Sequence, residues 1–388
     1  MIRHLFLMIW NQKHRNLGLM LEIFFSFMVL FAVLTFIIYN YNHYRQPLGF
    51  DYNKVWVLTQ DWKDTKPTEV RAVQAEISRV LSNAKEVVHF SFSASMVPYG
   101  FSNFSTSLQK NNIAIQCDVF EADPAFPAVM DIKLTEGRWF DKRDDASVNQ
   151  QIIINRKMRE ALFGDKNALG ELINWGDNRK LEVIGVIENY KFQGEFSALK
   201  PGYFYKPDTS FLGSHIVMKV NPTANAAFEA NLMKQLNQIA GNWSFEMRDM
   251  GDMRQTVQRI TLVPIIIFLT ISGFLIFNVA LGLFGVLYYN INKRKQEIGV
   301  RRAMGSTQNN ISGQFIGEVI VIATFSLALG LFFAIQFPLL KVLNVQAGIY
   351  FSAIILAFLL IYALVLVCSF YPSRQAAQLH PAMALHEE

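Results

Sequence analysis

Four long stretches of apolar residues dominate the pattern along the chain. The first, Leu17–Tyr39, contains one charged residue, Glu22, and the other three contain none: Ile260–Asn292, Val319–Leu340 and Val342–Ser373. A helix needs about 20 such residues to cross the hydrocarbon core of a membrane. The pattern therefore predicts four transmembrane helices. The first is predicted to be retained rather than cleaved. Its apolar part is longer than the apolar region of a signal peptide, which has roughly 7–15 residues, and no small-residue cleavage site follows.

The segment between the first two stretches, residues 40–259, has the shorter periods of a folded domain. Helical spacing predicts helices at Pro67–Asn83, at Arg156–Phe163 with an end at Gly164, and at Ala224–Ile239. Strand–helix–strand units at both ends, with β-rich material between them, predict an α+β domain with an inserted lobe. The remaining predictions are a hairpin turn at Asn111-Asn112 and the strands Lys54–Gln60, Glu86–Met96, Ser105–Lys110, Ile113–Phe120, Gln151–Asn155, Leu181–Glu188, His215–Val220 and Ser244–Arg248.

The second apolar stretch is longer than a simple membrane crossing requires. Its 33 uncharged residues would form a helix of roughly 50 Å, against a hydrocarbon core of about 30 Å. Helix-compatible sequence leads into the stretch at Asp252–Arg259 and out of it at Lys293–Met304. We therefore expect one continuous helix from the outside domain to the basic segment, with a kink at Pro264. The alternative is a span with unrelated helical flanks.

Basic residues in the short flanking segments predict the orientation. Lys and Arg precede the first span and lie between the second and third, whereas the loop between the third and fourth has only Lys341. Short cytoplasmic loops are enriched in such residues, so both termini are predicted to be cytoplasmic. The resulting segments are an N-terminal cytoplasmic segment (1–16), helix one (17–39), an outside domain (40–259), helix two (260–289), a cytoplasmic coupling segment (290–310), helix three (311–340), a short outside loop (341–348), helix four (349–371) and a cytoplasmic tail (372–388).

The distribution of charge agrees with a membrane protein. Hydrophobic residues make up 52% of the chain and charged residues 17%, below the roughly 25% charged residues of soluble domains. Residues 40–259 hold 26 Lys+Arg and 26 Asp+Glu, so the net charge of +5 comes from the membrane part. The basic character therefore reflects topology. It does not predict nucleic-acid binding, because the sequence has no basic patch interleaved with aromatic residues.

The sequence contains no recognisable catalytic constellation. It lacks a GxxxxGK[ST] loop for ATP, a GxSxG elbow, an HExxH helix and a CxxC pair, and its seven His are scattered. We expect no catalysis by this chain alone, and neither a metal nor a cofactor bound by it.

Two carboxylates, Glu22 and Glu318, lie within the apolar stretches. Such residues are candidates for a functional site, here for proton or substrate handling. Both are predicted near the cytoplasmic ends of their helices, where pairing with Arg15, Arg301 or Arg302 is available. The sequence favours this structural role over the functional one.

The basic segment Asn292–Asn310, NKRKQEIGVRRAMGSTQNN, carries the most specific motif. It is similar to the signature of FtsX/MacB-type ABC transporter permeases, in which a basic E-I-G-[IV]-R-[RK]-A-[LM]-G run leads into the penultimate helix. The tail YPSRQAAQLHPAMALHEE resembles the closing pattern P-x-x-x-A-x-x-x-x-P-x-x-A-L of that family. The runs ADPAFPAVMDIKLTEGRWF, QIIINRKMREALFG and LEVIGVIENYKFQGEFSALKP resemble the MacB-like periplasmic core domain. The resemblance covers nearly the whole chain.

The resemblance implies a fold, a location and a function. The fold is an α-helical membrane domain of four transmembrane helices, with a large α+β periplasmic domain between helices one and two, in a bacterial inner membrane. The function is that of a non-catalytic permease subunit. It couples ATP hydrolysis by a cytosolic ABC ATPase to periplasmic motion and drives efflux or extrusion of a drug, peptide, lipid or lipoprotein. MacB itself carries an ATPase before its first helix, so the ATPase here, with its ATP and Mg, is expected on a separate chain.

The resemblance also implies partners. A single permease copy implies a dimer with a second copy or a paralogue, surrounded by membrane lipid. A periplasmic adaptor and an outer-membrane channel belong to the efflux branch. The alternative function is an FtsX-like or peptide-sensing permease that regulates a periplasmic enzyme or a kinase. The size of the outside domain favours transport, because FtsX-type chains have smaller ones.

Within the basic segment the resemblance implies a contact with the ATPase. We expect Arg301 and Arg302 to meet acidic or carbonyl groups, and Ile298 and Met304 to fill an apolar groove. Gly305 is expected to end the helix, with Ser306 or Thr307 capping the next. The alternative, binding of the cations to anionic lipid, leaves the other residues unexplained. The full set of expected coupling residues is Glu297, Ile298, Gly299, Arg301, Arg302, Ala303, Met304 and Gly305.

Overall fold

A computed structural model describes residues 13–62, 65–93, 96–110, 113–176, 179–207 and 212–378. The described parts of Met1–Asn42 and Leu262–Glu388 form one unit, the helical unit, and His43–Thr261 form a second, the globular unit. The predicted hairpin turn at Asn111-Asn112 and the C-terminal motif beyond residue 378 lie outside the described residues.

The helices and strands are numbered in chain order. The helices are α1 (Lys13–Tyr44), α2 (Pro67–Asn83), α3 (Phe126–Met130), α4 (Arg156–Phe163), α5 (Ala226–Ile239), α6 (Met250–Lys293), α7 (Lys295–Ala303), α8 (Gln308–Ala334), α9 (Gln336–Leu339) and α10 (Ala347–Ala377). The strands are β1 (Val55–Asp61), β2 (Val87–Ser93), β3 (Ser105–Lys110), β4 (Ile113–Glu121), β5 (Leu134–Gly137), β6 (Gln150–Asn155), β7 (Leu172–Trp175), β8 (Arg179–Ile187), β9 (Gly202–Tyr205), β10 (His215–Val220) and β11 (Ser244–Asp249).

Among the described residues, four helices are long and apolar enough to cross a membrane. They are α1, α6, α8 and α10; α6 begins inside the globular unit, and α8 and α10 follow it in sequence. Inside the helical unit, side chains of α1, α6, α8 and α10 form one apolar cluster that includes Phe27, Leu283, Leu327 and Ala357. At Gly330 a Cβ would lie 2.4 Å from the Phe27 ring, so glycine is what lets α1 and α8 approach there.

Helix α6 is a single element of 44 residues that continues through Pro264. The predicted continuity from Asp252 to the end of the apolar stretch is confirmed. The predicted continuation to Met304 is wrong, because the helix ends at Lys293 and Arg294 leaves helical geometry, with φ −109° and ψ 17°. The basic segment therefore forms its own short helix, α7.

The two ends of the globular unit fold together into one sheet. The strands are ordered β11-β1-β10-β2, and every neighbouring pair is antiparallel. With α2 and α5 as the connections, this β-α-β-β-α-β arrangement is ferredoxin-like. Apolar side chains of both helices, among them Ile77 and Leu236, pack with Leu58 and Met218 of the sheet.

The rest of the globular unit is inserted between β2 and β10. Its strands run β5-β8-β6-β9-β4-β3-β7, and β7 also pairs with β8, so six of the strands form a closed circuit. Ile152, Ile154, Val183 and Tyr203 lie in its apolar core. The predicted α+β domain with an inserted lobe is confirmed, and so is its place in the sequence between the first and the second of the four described helices of transmembrane length.

Most of the predicted elements of the globular unit are present within a few residues. The helices Pro67–Asn83 and Arg156–Phe163 have the predicted bounds, and Pro67 stands in the first turn of its helix. Helix α3 and the short strands β5, β7 and β9 are not predicted by the sequence pattern. Strands of four residues are too short to show a period of alternation.

Candidate coupling site

Helix α7 begins at a sharp step in the backbone. The Arg294 N–H donates to the carbonyl of Ile291 at 3.1 Å, and the Ile298 N–H then donates to the carbonyl of Arg294 at 2.9 Å. The first bond spans three residues and the second spans four, as in a tight turn followed by a new helix. The backbone thus turns at Arg294 and brings the basic side chains of α7 next to the start of α8.

A network of ion pairs and hydrogen bonds ties α7 to α8. The Arg294 guanidinium binds the Glu318 carboxylate at 2.9 Å, and Gln314 donates to the same carboxylate oxygen at 3.3 Å. Arg301 donates to Gln314 at 2.7 Å and pairs with Glu297 at 2.5 Å. Among the described side chains, the ion-pair partner of Glu318 is therefore Arg294 and not Arg301 or Arg302, whereas the side chain of Arg15 lies outside the description.

The C-terminal end of α7 is a glycine-dependent stop. Gly305 has φ +95°, its N–H donates to the carbonyl of Arg302 at 3.1 Å, and the Ser306 N–H donates to that of Arg301 at 3.0 Å. These two bonds form a Schellman motif with glycine in the left-handed position. Thr307 then caps α8 by accepting from the Asn310 N–H at 3.3 Å. The prediction that Gly305 ends this helix and that Ser306 or Thr307 caps the next is confirmed, with Thr307 as the cap.

The predicted coupling residues divide into a buried and an exposed group. Ile298 is 4% exposed and lies in the apolar core of the helical unit, and Gly299 is also buried. Of the predicted residues, Met304 is 77% exposed and Ala303 is exposed as well. Val300, which was not among the predicted residues, is 45% exposed. The Ile298 side chain therefore anchors α7 to its own chain, and the apolar surface of α7 is formed by Val300 and Met304.

The charged side chains of α7 are not equally engaged. Arg301 is held by two side chains of its own chain, whereas Arg302 donates a 3.3 Å hydrogen bond from Nη1 to the carbonyl of Ser306. Its Nε is buried and has no hydrogen-bond partner among the described residues. Arg302 therefore has donor capacity that its own chain leaves unused.

Glu22 lies in a different place from the network. It is on α1 and partly buried, and its Oε2 is 2.6 Å from the position that a Cβ would take on Gly282. No ion pair to Glu22 occurs among the described residues, and the side chain of Arg15 lies outside that description. The structure therefore brings Glu318, but not Glu22, to the coupling segment.

Sequence reasoning missed Arg294 as the key cation of the site. Its one local signal is position: it is the basic residue at the junction between two helices, 24 residues before Glu318. The contact depends on how α7 and α8 fold back on each other, and a linear pattern does not contain that information.

Two family models match the chain in the order that the fold shows. A model described as the MacB-like periplasmic core domain matches residues 19–235. A model described as the FtsX-like permease C-terminal domain matches residues 269–381. The second match contains α7 and its ion network.

Individual relatives are similar over most of the chain. The macrolide export ATP-binding/permease protein MacB of Bordetella avium is 27% identical over 296 residues, which cover 73% of this chain and 45% of the relative. The probable syringafactin export ATP-binding/permease protein SyfD of Pseudomonas syringae is 28% identical over 287 residues, 71% of this chain and 44% of the relative. The chain thus spans less than half the length of these relatives.

Among solved structures, the periplasmic region of MacB from Actinobacillus actinomycetemcomitans is similar at 16% identity and a TM-score of 0.39. That comparison covers 53% of this chain and 94% of the other.

Proposed function

Because the chain belongs to the family of permeases with a MacB-like periplasmic core domain and an FtsX-like C-terminal domain, we propose that it is the permease subunit of an ABC transporter. In this proposal a cytosolic ATPase binds α7, and ATP-driven movement is passed through the membrane helices to the periplasmic domain. The movement drives efflux or extrusion of a drug, peptide, lipid or lipoprotein on the periplasmic side.

The observation that carries the proposal is the construction of α7. The helix is held at its start by Arg294 and Glu318, held along its length by Ile298, and ended by Gly305. A segment whose cations only attract anionic lipid needs no such anchoring, because lipid attraction depends on charge near the surface and not on geometry. A rigid mount is what a helix needs if it is to receive a displacement from a protein partner.

The geometry refines the contact with the ATPase. Val300 and Met304 are the exposed apolar side chains and enter a groove on the ATPase, and Arg302 donates to its acidic or carbonyl groups. The position of α7 is held by contacts within its own chain, which involve Glu297, Ile298, Gly299 and Arg301. Ala303 lies in the proposed contact with the ATPase, beside Met304. Methionine and arginine are enriched at the centre of protein interfaces, and arginine is among the side chains that commonly dominate the binding energy.

Further parts of the proposal concern assembly. The ATPase, with its ATP and Mg, is a separate chain; the permease pairs with a second copy or a paralogue; both termini face the cytoplasm of a bacterium with this protein in its inner membrane. A periplasmic adaptor and an outer-membrane channel complete the system if the cargo leaves the cell. The relatives named for macrolide and syringafactin export support the efflux branch.

The test is recovery of the ATPase with a permease that carries Met304→Glu. The substitution places a carboxylate in the proposed apolar contact, which costs about 2 kcal/mol or more if the site becomes dry. Affinity purification of the full chain in mild detergent, followed by identification of the bound proteins, should then recover at least about tenfold less ATPase than with the parent chain.

The matched control is Leu343→Glu. Leu343 is also a highly exposed apolar residue, in the short segment between α9 and α10, where the proposal places no ATPase. This variant should recover the ATPase like the parent chain. Equal recovery with Met304→Glu and with the parent would reject docking through α7 and return the lipid interpretation.

A further inference from the structure

One loop of the inserted lobe binds the end of α1. This junction loop, residues 189–197, connects β8 with β9. The Lys191 N–H donates to the carbonyl of Leu48 at 2.9 Å, and its Nζ donates to the carbonyl of His43 at 2.7 Å. A Cβ at Gly49 would lie 1.9 Å from the carbonyl oxygen of Asn189. The two backbones are therefore closer than any residue with a side chain would permit.

The Lys191 ammonium has an unusual position for a charge. It is 2% exposed, and burial lowers its pKa to about 8. The His43 carbonyl belongs to the last turn of α1, where carbonyls lack helical partners and the helix dipole is negative. A buried cation at that point satisfies an orphan acceptor and holds the helix end against the loop.

The same loop binds the first turns of α6. Glu195 is buried, and its carboxylate accepts from Nε of Arg254 on α6. The Arg254 guanidinium also lies 4.6 Å from the centre of the Tyr52 ring, within the range of a cation–π interaction. Lys191 donates to the main-chain carbonyl of Glu195, so the two contacts share one short stretch of backbone.

A strained tyrosine closes the arrangement. Tyr99 has φ +61°, a region that bulky residues rarely adopt, and it is almost fully buried. Its N–H donates to the carbonyl of Phe192 at 2.7 Å, and its hydroxyl lies 3.5 Å from the Glu195 carboxylate. A Cβ on Gly194 would lie 3.1 Å from the Tyr99 ring. Strain of this kind persists only where the surroundings determine it, and it is concentrated at functional positions.

We propose that the junction loop is a clamp, with Lys191 and Glu195 as its positioning residues. The clamp holds the end of α1 and the start of α6, through which the chain enters and leaves the globular unit, in one geometry relative to the inserted lobe. Displacement of either helix then moves the lobe instead of bending the junction. The role in transmission rests on the proposed function, whereas the rigidity of the junction does not.

Burial of charge is the physical reason for assigning this role to Lys191 and Glu195. Well-packed apolar residues in place of a buried ion pair, here that of Glu195 with Arg254, are often equally or more stabilising, so such a pair is weak evidence for stability as such. Directional partners, in contrast, define a single arrangement. The Lys191 ammonium orients the main-chain carbonyls of His43 and Glu195, and the Glu195 carboxylate orients the Arg254 guanidinium. Apolar side chains would not orient these groups.

The test measures the width of a distance distribution within the globular unit. The full chain in lipid nanodiscs, with Cys117→Ala and Cys368→Ser, carries spin labels at Ala161→Cys on α4 and Gln255→Cys on α6. Both labelled positions are exposed and helical. Lys191→Met and Glu195→Gln, measured where each variant is folded, should each roughly double the width found for the parent, because the junction gains a hinge.

The matched control is Lys110→Met in the inserted lobe. Lys110 also donates to a carboxylate, that of Glu171 at 2.5 Å, and to a main-chain carbonyl, that of Leu172 at 3.1 Å, but away from the junction. It should leave the width unchanged. The clamp is rejected if the distance distribution of Lys191→Met or of Glu195→Gln is as narrow as that of the parent. It is also rejected if Lys110→Met broadens the distribution equally. Failure to recover an ATPase sinks the proposed function and leaves this readout unaffected.

Discussion

An arginine is paired with a buried glutamate at both ends of α6. Arg254 binds Glu195 in the first turns of the helix, and Arg294 binds Glu318 just beyond its last residue. The surroundings of the two pairs differ. Next to Glu195 lies the buried ammonium of Lys191, whereas next to Glu318 the network opens through Gln314 into the Arg301–Glu297 pair, whose side chains are 42% and 50% exposed.

This difference in burial suits the two ends of α6 to different roles. Buried charges have few alternative partners and keep one arrangement, while exposed pairs exchange readily with water and contribute about 0–1 kcal/mol. The junction loop therefore resists rearrangement, and the surface of α7 is left able to accept an external partner. Four substitutions or conditions sharpen this contrast, and they follow in order of expected effect.

Removal of the Glu195 carboxylate should have the largest effect. In Glu195→Ala the Arg254 guanidinium loses its anionic partner in a mostly buried site, which costs about 3 kcal/mol and lowers the thermal midpoint of the full chain by roughly 6–12 °C. The control is Glu246→Ala, which removes an exposed pair to Arg248 at 2.6 Å and should cost less than about 1 kcal/mol. Similar midpoints for the two variants would show that the junction pair is not special.

The pH dependence of stability should report the burial of Lys191. Burial lowers the pKa of Lys191 from 10.5 to about 8, so above pH 8 the unfolded chain holds a proton that the folded chain has released. Stability from this group therefore rises with pH up to about 10.5. Relative to Lys191→Met, the parent should gain on the order of 2 kcal/mol between about pH 7.5 and 10.

The groups around Lys191 define the window of that comparison. The charged neighbours Glu195 and Arg254 are the same in the parent and in Lys191→Met, so the difference between the two proteins reports Lys191 itself. A difference between parent and variant that stays constant over the window would contradict a buried, charged Lys191.

The third comparison is between the mostly buried Arg294–Glu318 pair and the exposed Arg301–Glu297 pair of the coupling network. Glu318→Gln weakens the bond to Arg294 and should cost about 1–2 kcal/mol, as expected for a mostly buried hydrogen bond to a charged group. Glu297→Gln removes the exposed partner of Arg301 within the same helix and should cost below about 0.5 kcal/mol. Chemical unfolding of both variants measures the ratio, and a larger loss for Glu297→Gln would reverse the assignment.

The smallest effect is expected at the end of α7. Gly305→Ala forces a side chain into the left-handed region and should cost about 1 kcal/mol. The control, Gly313→Ala in α8, has no atom within 4 Å of the new Cβ and should be neutral or slightly stabilising because alanine favours helix. Equal effects on the unfolding midpoint would mean that the Schellman stop does not constrain the segment.

Local signals explain how far the sequence predicted the fold. Pro67 and the apolar spacing after it determine the start and face of α2, and Gly305 with Thr307 determines the boundary between α7 and α8. The four helices of transmembrane length follow from apolar stretches that no soluble domain contains. In contrast, β9 (GYFY) was missed because its pairing with β4 and β6, not its own pattern, makes it a strand.

The functional residues were less accessible to sequence reasoning than the fold. Arg301 and Arg302 were predicted to meet acidic or carbonyl groups of the ATPase. In the structure Arg301 binds Glu297 and Gln314, and Gln314 comes next to it only when α7 and α8 fold together. Lys191 lies in a loop sequence, NYKFQGEF, that looks solvent-exposed. Its burial depends on a contact with His43, 148 residues earlier, and neither composition nor periodicity reports such a contact.

The central claim is that ATP moves the periplasmic domain through the membrane helices. The most direct measurement is the distance between spin labels at Ala161→Cys in the inserted lobe and Ala347→Cys at the start of α10. It is recorded for the complex with its ATPase in nanodiscs, with and without ATP and vanadate. The distance distribution should shift when nucleotide is trapped. Superimposable distributions from a preparation that hydrolyses ATP would contradict it.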